Sequence, residues 1–186
     1  MAAVGVDPRQ AVVWDIGSGS MQLVARSAAD DDHLVYVGEH ASQTFRNRVI
    51  ESIQGRDPAQ GDSPNPIDET DARQALALAR TLAEAVPEAI VDRLRQGQAV
   101  VLGIGGVHLF SLRNQLGRGD RPYTRHQVEA KLKQRIGLTD AQIGGRFAST
   151  EVSNLLLVLG YMKALEIDAV LPVAVTLSDA LLLSTP

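Results

Sequence analysis

The apolar positions in the first forty residues predict three short strands. Residues 11–14, 22–26 and 34–37 are rich in Val and Leu, and polar or glycine-rich stretches separate them. The connector at 28–32 is short and polar, which favours a hairpin turn over a metal-binding acidic cluster. The pattern therefore predicts an antiparallel three-stranded meander.

From residue 68 onward the apolar spacing becomes helical. Acidic residues open a long helix that reaches Leu94, and we expect Pro87 to kink or restart it. The prolines and glycines that precede this helix predict an exposed loop over about 54–67. Downstream we expect a strand at 98–103, helices at 107–116, 124–136 and 139–147, an apolar helix at 152–167 capped by Ser149 or Thr150, a strand at 169–175 and a last helix at 177–183.

This order of elements predicts an α/β fold in which helices flank one mixed sheet. The helix at 152–167 is apolar nearly all round, so it should lie buried against that sheet. The chain has 186 residues and a mass of 19.9 kDa, which suits a single domain, 1–186, or one lobe of a larger protein. With 45% hydrophobic and 22% charged residues, it falls in the globular class and outside the disordered one.

Composition also excludes several kinds of chemistry. The chain has no Cys, so disulfides, Cys-ligated metals and a Cys nucleophile are excluded. A net charge of −4 disfavours nonspecific nucleic-acid binding. The segment 113–135 is nevertheless basic, with seven Lys or Arg residues against two acidic ones. It is either a solvated surface or a patch that attracts a polyanion.

Residues 1–10 lack the basic flank and apolar core of a signal peptide, so we expect a cytoplasmic protein. The longest apolar run, 155–162, is far shorter than the roughly 20 residues that a membrane helix needs. We therefore expect no membrane span.

A Gly/Ser turn after the first strand is the main candidate for chemistry. Converging backbone N–H groups at Gly17 and Gly19, with the hydroxyls of Ser18 and Ser20, would form a cradle for phosphate oxygens. Asp15, at the strand end, could hold a hydrated divalent cation beside that phosphate. The alternative is a plain hairpin in which the aspartate hydrogen-bonds its own turn.

A second glycine turn, Gly103, Gly105 and Gly106, lies between a strand and a helix, where an anion or nucleotide group could bind. His108 replaces the last glycine of a dinucleotide-binding fingerprint, and no phosphate-loop signature occurs. The four histidines have no metal-ligand spacing, and no G-x-S-x-G nucleophile motif is present.

Together these motifs resemble the exopolyphosphatase and guanosine pentaphosphate phosphohydrolase (Ppx/GppA) family. Residues 13–23, VWDIGSGSMQL, resemble the D-I-G-G-G-S-T-E-L phosphate motif, and 101–106 resemble the second glycine turn. Residues 151–154, EVSN, resemble the E-R-A-D helix start, and 177–183, LSDALLL, resemble the closing L-R-E-G-L-L-L. Four motifs in the family's order cover nearly the whole chain.

The resemblance implies the second, C-terminal ribonuclease-H-like lobe of a two-lobed actin-like fold. The family's first lobe, with its own phosphate turn and a glutamate thought to activate water, has no counterpart in this sequence. The implied cofactor is Mg²⁺, held in part by Asp15, and the implied substrates are polyphosphate or guanosine polyphosphates. The missing lobe is the implied protein partner, and no membrane or specific nucleic-acid binding is implied. Separately from the resemblance, the apolar helix at 152–167 could face a second copy of the chain.

Departures from the family pattern affect its charged positions. Gln22 replaces the glutamate that arranges metal and water, and Asn154 replaces an aspartate. Ser18 replaces a glycine, and Val107 replaces a threonine. Three hypotheses follow: a phosphohydrolase lobe that is a poor catalyst alone, a degenerate phosphate- or nucleotide-binding module, and a structural or dimer-forming lobe.

Overall fold

The computed structural model describes residues 5–27, 32–61, 63–95, 97 and 99–174. Its strands form one six-stranded mixed sheet in the order β3-β2-β1-β4-β6-β5. The sheet is antiparallel from β3 to β1, parallel from β1 through β4 to β6, and antiparallel again at β5. The strands are β1 (Ala11–Ile16), β2 (Met21–Arg26), β3 (His33–Gly38), β4 (Val100–Ile104), β5 (Tyr123–Thr124) and β6 (Ala169–Pro172). The predicted meander and mixed sheet are confirmed.

The helices are α1 (Ser42–Arg48), α2 (Glu69–Ala83), α3 (Glu88–Arg95), α4 (Arg113–Leu116), α5 (Arg125–Arg135), α6 (Asp140–Ile143) and α7 (Ala148–Ala164). Helix α1 continues into the π-helical segment Val49–Ile53, and the π-helical segment Val107–Leu112 leads into α4. A 3₁₀ turn, Pro58–Gln60, lies in the loop before α2. The predicted break at Pro87 is confirmed, because α2 ends before it and α3 begins after it.

Two described elements are absent from the sequence-based prediction, namely α1 and the two-residue strand β5. The predicted buried helix begins earlier than expected, at Ala148. The hairpin connector at 28–31 and the predicted last helix at 177–183 lie outside the described residues.

The core lies between one face of the sheet and helices α2 and α7. At Gly160 the two helices come so close that a Cβ atom would overlap the Ala79 side chain. Helix α7 contacts the sheet through Tyr161, whose ring lies 5.9 Å from that of Trp14 on β1. The Tyr161 hydroxyl lies 3.3 Å from that of Tyr36 on β3. Helix α7 is thus enclosed by its own chain, as its apolar sequence predicts.

The loop before α2 is fixed at both ends by side-chain hydrogen bonds. The Asn65 amide donates to the Asp140 carboxylate at 2.8 Å and to the Ala148 carbonyl at 3.0 Å. The Gln54 amide donates to Asp71 of α2 at 2.8 Å. These contacts tie the loop to the start of α2 and to the α6–α7 region, which carries one wall of the site described next.

Candidate functional site

The first glycine turn, residues 17–20, connects β1 to β2 and is held by helix α1. The Gly17 N–H donates to the Ser20 carbonyl at 3.1 Å, which closes the hairpin. The Gly17 and Ser18 carbonyls accept from the backbone N–H groups of Ser42 and Gln43 at 3.2 and 2.8 Å. Helix α1 thus uses its unpaired N-terminal donors to fix the carbonyls of the turn.

The remaining donors of this turn are free. No described residue accepts a hydrogen bond from the backbone N–H of Ser18, Gly19 or Ser20, and all three residues are exposed. Consecutive backbone N–H groups in a turn can bind an oxyanion when they point to one place, and these three are available for that role. Neither Gly17 nor Gly19 has a left-handed φ, and a Cβ at Gly19 would meet nothing within 4 Å. Ser18 therefore fits the turn without strain.

Asp15 lies at the end of β1, half-buried, and makes no hydrogen bond or ion pair with a described residue. The hairpin in which this aspartate bonds its own turn is therefore not observed. Burial raises the pKa of the Asp15 carboxyl above its ordinary value. The carboxylate lies over Gly105, where φ is +80° and any Cβ would overlap Asp15 Oδ1 and approach the Ile16 carbonyl to 2.7 Å.

Gln22 is the cross-strand partner of Asp15 and donates from Nε2 to the Ser20 hydroxyl at 3.2 Å. The site therefore has one carboxylate and one amide where the family pattern has two carboxylates. In the described part of the chain, no group of three or more His, Cys, Asp or Glu residues could hold a metal ion. This donor set suits a hydrated Mg²⁺ held mainly by substrate phosphates, and does not suit an all-protein metal site.

The second glycine turn follows β4, the parallel neighbour of β1. Gly103 lies inside β4, where a Cβ would come within 2.6 Å of the Val170 side chain and 2.8 Å of the His108 ring. Gly105 accommodates Asp15, as described above. Of the three predicted glycines, Gly106 alone lines the cavity between the two turns. Gly103 and Gly105 thus allow close packing, and Gly106 faces the site.

A cavity of about 230 Å³ opens between the two glycine turns. Gly17 and Ser18 of the first turn lie on one side, and the segment from Gly106 to Ser111 and the first turns of α7 lie on the other. Phe110 and Phe147, which are 60% and 55% exposed, stand at the cavity and give it partly apolar walls. An oxyanion bound by the first turn would face this cavity.

Glu151, on α7, is the one ionisable side chain among the described residues that line the cavity. Burial raises the pKa of its carboxyl to about 7, although the charge of Arg135 and a hydrogen bond from Ser111 both lower it. From the sequence, Glu151 was part of a helix-start motif and Asn154 was the replacement of an aspartate in that motif, so their place in the cavity was missed. Their neighbour Ser111 is distant in sequence, and no local pattern indicates that contact.

The basic segment 113–135 does not reach this cavity. None of its Lys or Arg residues lines the cavity in the described structure. Arg113 pairs with Asp120 and Arg125 with Asp168, each at 2.8 Å. The segment is therefore in part an ion-paired surface, and the charge of Arg135 reaches the cavity only through its effect on Glu151.

Solved structures of Ppx/GppA proteins resemble this chain. A PPX-GPPA enzyme from Aquifex aeolicus matches with a TM-score of 0.68 and 12% identity, over 94% of this chain and 56% of that one. The type II variant of the Aquifex aeolicus Ppx/GppA phosphatase matches with a TM-score of 0.68 and 14% identity, over 98% and 59%. An exopolyphosphatase from Cytophaga hutchinsonii matches with a TM-score of 0.58 and 15% identity, over 95% and 56%.

The chain has the fold of the Ppx/GppA phosphatases. It spans 56% to 59% of the length of these structures. No protein-family model and no curated protein matches the sequence. At this level of identity the likeness concerns the fold, and the site must be argued from its own residues. None of the helices in the described part of the chain has the length and apolar character needed to cross a membrane.

Proposed function

We propose that this chain is the phosphate-binding lobe of a Ppx/GppA-like phosphohydrolase. The complete protein would cleave the terminal phosphoanhydride of polyphosphate or of a guanosine penta- or tetraphosphate. One observation carries the proposal: three consecutive residues, Ser18, Gly19 and Ser20, are exposed, and their backbone N–H groups have no partner among the described residues. Helix α1 holds them in place, so binding an oxyanion requires little reorganisation.

In this proposal the turn binds the oxygens of the terminal phosphate, and the Ser18 and Ser20 hydroxyls supplement its N–H groups. The water oxygen bonds to the terminal phosphorus in line as the bridging P–O bond breaks, and the shortened chain leaves with the bridging oxygen. The terminal phosphate is released as orthophosphate, and the proton of the water passes to a phosphate oxygen or to solvent. Asp15, which has no partner among the described residues, would orient that water. Mg²⁺ bound to the phosphates would neutralise their charge, and Asp15 would hold it through water.

A charge placed in the turn tests phosphate binding directly. Gly19→Asp adds a carboxylate where a Cβ meets nothing within 4 Å, so the fold should be kept. We expect the affinity for tripolyphosphate, measured by isothermal titration calorimetry, to fall about tenfold or more through like-charge repulsion. Gly19→Asn is the matched neutral control and should bind nearly as the parent does. Equal affinities of the parent and Gly19→Asp would refute the proposal.

A phosphate-binding module without catalysis is the second candidate function. It is favoured by Gln22, whose amide is bound to Ser20 and leaves Asp15 as the one carboxylate of this turn. Gln22→Glu restores the family residue, and phosphate release from tripolyphosphate with Mg²⁺ is the measurement. A large gain would indicate a decayed active site. Binding without any gain in release would favour the module.

A purely structural or dimer-forming lobe, the third hypothesis, relied on the apolar helix at 152–167. Helix α7 is buried by its own chain, so it offers little surface to a partner. The described structure therefore gives this hypothesis no support from that helix.

A further inference from the structure

Four polar side chains form a connected cluster at the floor of the cavity. The Ser111 hydroxyl accepts hydrogen bonds from Gln115 Nε2 and Asn154 Nδ2, each at 3.1 Å. The Ser111 hydroxyl is also near enough to the Glu151 carboxyl to lower its pKa. Gln115 Nε2 also donates to the Glu151 backbone carbonyl at 3.1 Å. Hydrogen bonds from these residues thus join the first turns of α7, which carry Glu151, to the segment that follows the second glycine turn.

This cluster has more acceptors than donors. Glu151 Oε2, Asn154 Oδ1 and Gln115 Oε1 are all buried and have no hydrogen-bond partner among the described residues. Both amide protons of Gln115 are used, so the Ser111 proton and the second amide proton of Asn154 are the two that remain for three acceptors. Buried acceptors without donors are costly, so a donor is missing here.

The missing donor is best supplied within helix α7. Glu151 and Asn154 are three residues apart in one helix, so their side chains lie on the same face. Asn154 is only 3% exposed, and both residues line the cavity. A proton on Glu151 Oε2 would convert that acceptor into a donor to Asn154 Oδ1. One proton then satisfies two of the three orphaned oxygens.

We propose that Glu151 carries a proton at neutral pH, shared with Asn154, and that loss of this proton weakens oxyanion binding in the cavity. The second half rests on the proposed phosphate site. Neutral residues, including Ser18 of the first turn and Ser42 and Gln43 of α1, line the same cavity as Glu151. Arg135 of α5 is the charged group that acts on it. Because no other ionisable side chain lines the cavity in the described structure, protonation of Glu151 changes the charge of the cavity wall.

One competing arrangement must be distinguished. If the Asn154 amide is turned by 180°, its nitrogen would donate to an ionised Glu151 and its oxygen would accept the Ser111 proton. That arrangement needs no extra proton. The two differ in what Asn154 stabilises, namely the neutral carboxyl in our proposal and the carboxylate in the alternative.

The first experiment follows the Glu151 carboxyl by ¹³C NMR between pH 4 and pH 9. We expect its midpoint to lie near 7 and to fall in Asn154→Ala, because the acceptor of the shared proton is lost. A midpoint at the ordinary value of about 4.3 would overturn the proposal. A midpoint that rises in Asn154→Ala would establish the turned amide and overturn it as well.

The second experiment measures sulfate affinity at pH 6 and pH 8, because sulfate itself does not titrate in this range. If only the protonated form binds, affinity falls about tenfold, since a group with a midpoint near 7 is about 90% protonated at pH 6 and 10% at pH 8. Glu151→Gln should bind equally at both pH values. The control Glu129→Gln removes a carboxylate that pairs with Lys163 outside the cavity, and should keep the tenfold fall.

A pH dependence that persists in Glu151→Gln would overturn the role of Glu151 in binding. Absence of sulfate binding by the parent and by Glu151→Gln at both pH values would refute the phosphate site and, with it, the effect on binding. The NMR midpoint tests the shared proton separately, so failure of the proton and failure of the proposed function are distinguishable.

Discussion

Gly105, in the second glycine turn, lies against Asp15 and Ile16, which precede the first glycine turn. Its φ of +80° already disfavours a side chain, and a Cβ there would overlap the Asp15 carboxylate. We therefore expect Gly105→Ala to lower the free energy of unfolding by about 2–4 kcal/mol and to displace Asp15. Urea unfolding measures the loss. Gly106→Ala is the matched control, because its Cβ would meet only Phe110 at 4.0 Å; an equal loss in both variants would contradict this account.

The residues of the first turn could be predicted from sequence, whereas those of the cavity floor could not. Asp15, Gly17, Ser18, Gly19 and Ser20 are contiguous, and a strand followed by Gly and Ser is a local pattern. The raised pKa of Glu151 depends on the packing of α7 against the segment that holds Ser111, which only the folded chain brings together. The glycines of the second turn were predicted as one group, but they differ in the structure. Gly103 and Gly105 allow close packing, whereas Gly106 lines the cavity.

At the scale of elements, helix α1 determines the shape of the first glycine turn. Thr44 Oγ1 accepts from the Ala41 N–H at 2.7 Å and donates to the Gly19 carbonyl at 3.2 Å. Thr44→Val keeps the shape and removes the hydroxyl, so both partners lose a hydrogen bond. We expect a loss of about 1 kcal/mol in stability and weaker tripolyphosphate binding.

Thr44→Ser retains the hydroxyl and serves as the control. Calorimetric titration and urea unfolding of both variants provide the measurements. If Thr44→Val binds tripolyphosphate as tightly as Thr44→Ser, helix α1 does not position the turn.

Most elements followed from periodicity, and the exceptions have physical reasons. The alternation in β1 to β3 and the break at Pro87 are local properties, so the sequence predicts them. Helix α1 was missed because it is short and turns into a π-helix at Val49, where the apolar spacing is no longer that of an α-helix. Strand β5 has two residues, too few for any alternation.

At the scale of the whole molecule, the buried His108 makes the fold sensitive to acid. Its Nδ1 lies 2.6 Å from the Tyr123 hydroxyl, its ring packs edge-on against Trp14, and burial lowers its pKa to about 3. In the unfolded chain the pKa returns to about 6.5, so the unfolded state binds a proton first as the pH falls. This contribution to stability is complete above pH 6.5 and is lost progressively towards pH 3.

We expect the free energy of unfolding to fall by about 2 kcal/mol between pH 6.5 and pH 5 because of His108. His108→Leu removes the titrating group, and its pH dependence should be smaller by that amount even though the variant is less stable at every pH. Urea unfolding at the two pH values provides the comparison. Parallel pH profiles for the parent and the variant would rule out His108 as the cause.

Strands β1 and β4 are neighbours in the sheet but are far apart in the chain. The two walls of the cavity are therefore translated at different times. The β1–β2 hairpin and α1 are translated before β4, and in the described part of the chain they contain the hydrogen bonds that shape the first glycine turn. The opposite wall follows β4, and Glu151 arrives later still, with α7. A nascent chain can therefore form the first glycine turn before the Glu151 carboxyl group, which lines the same cavity, has been translated.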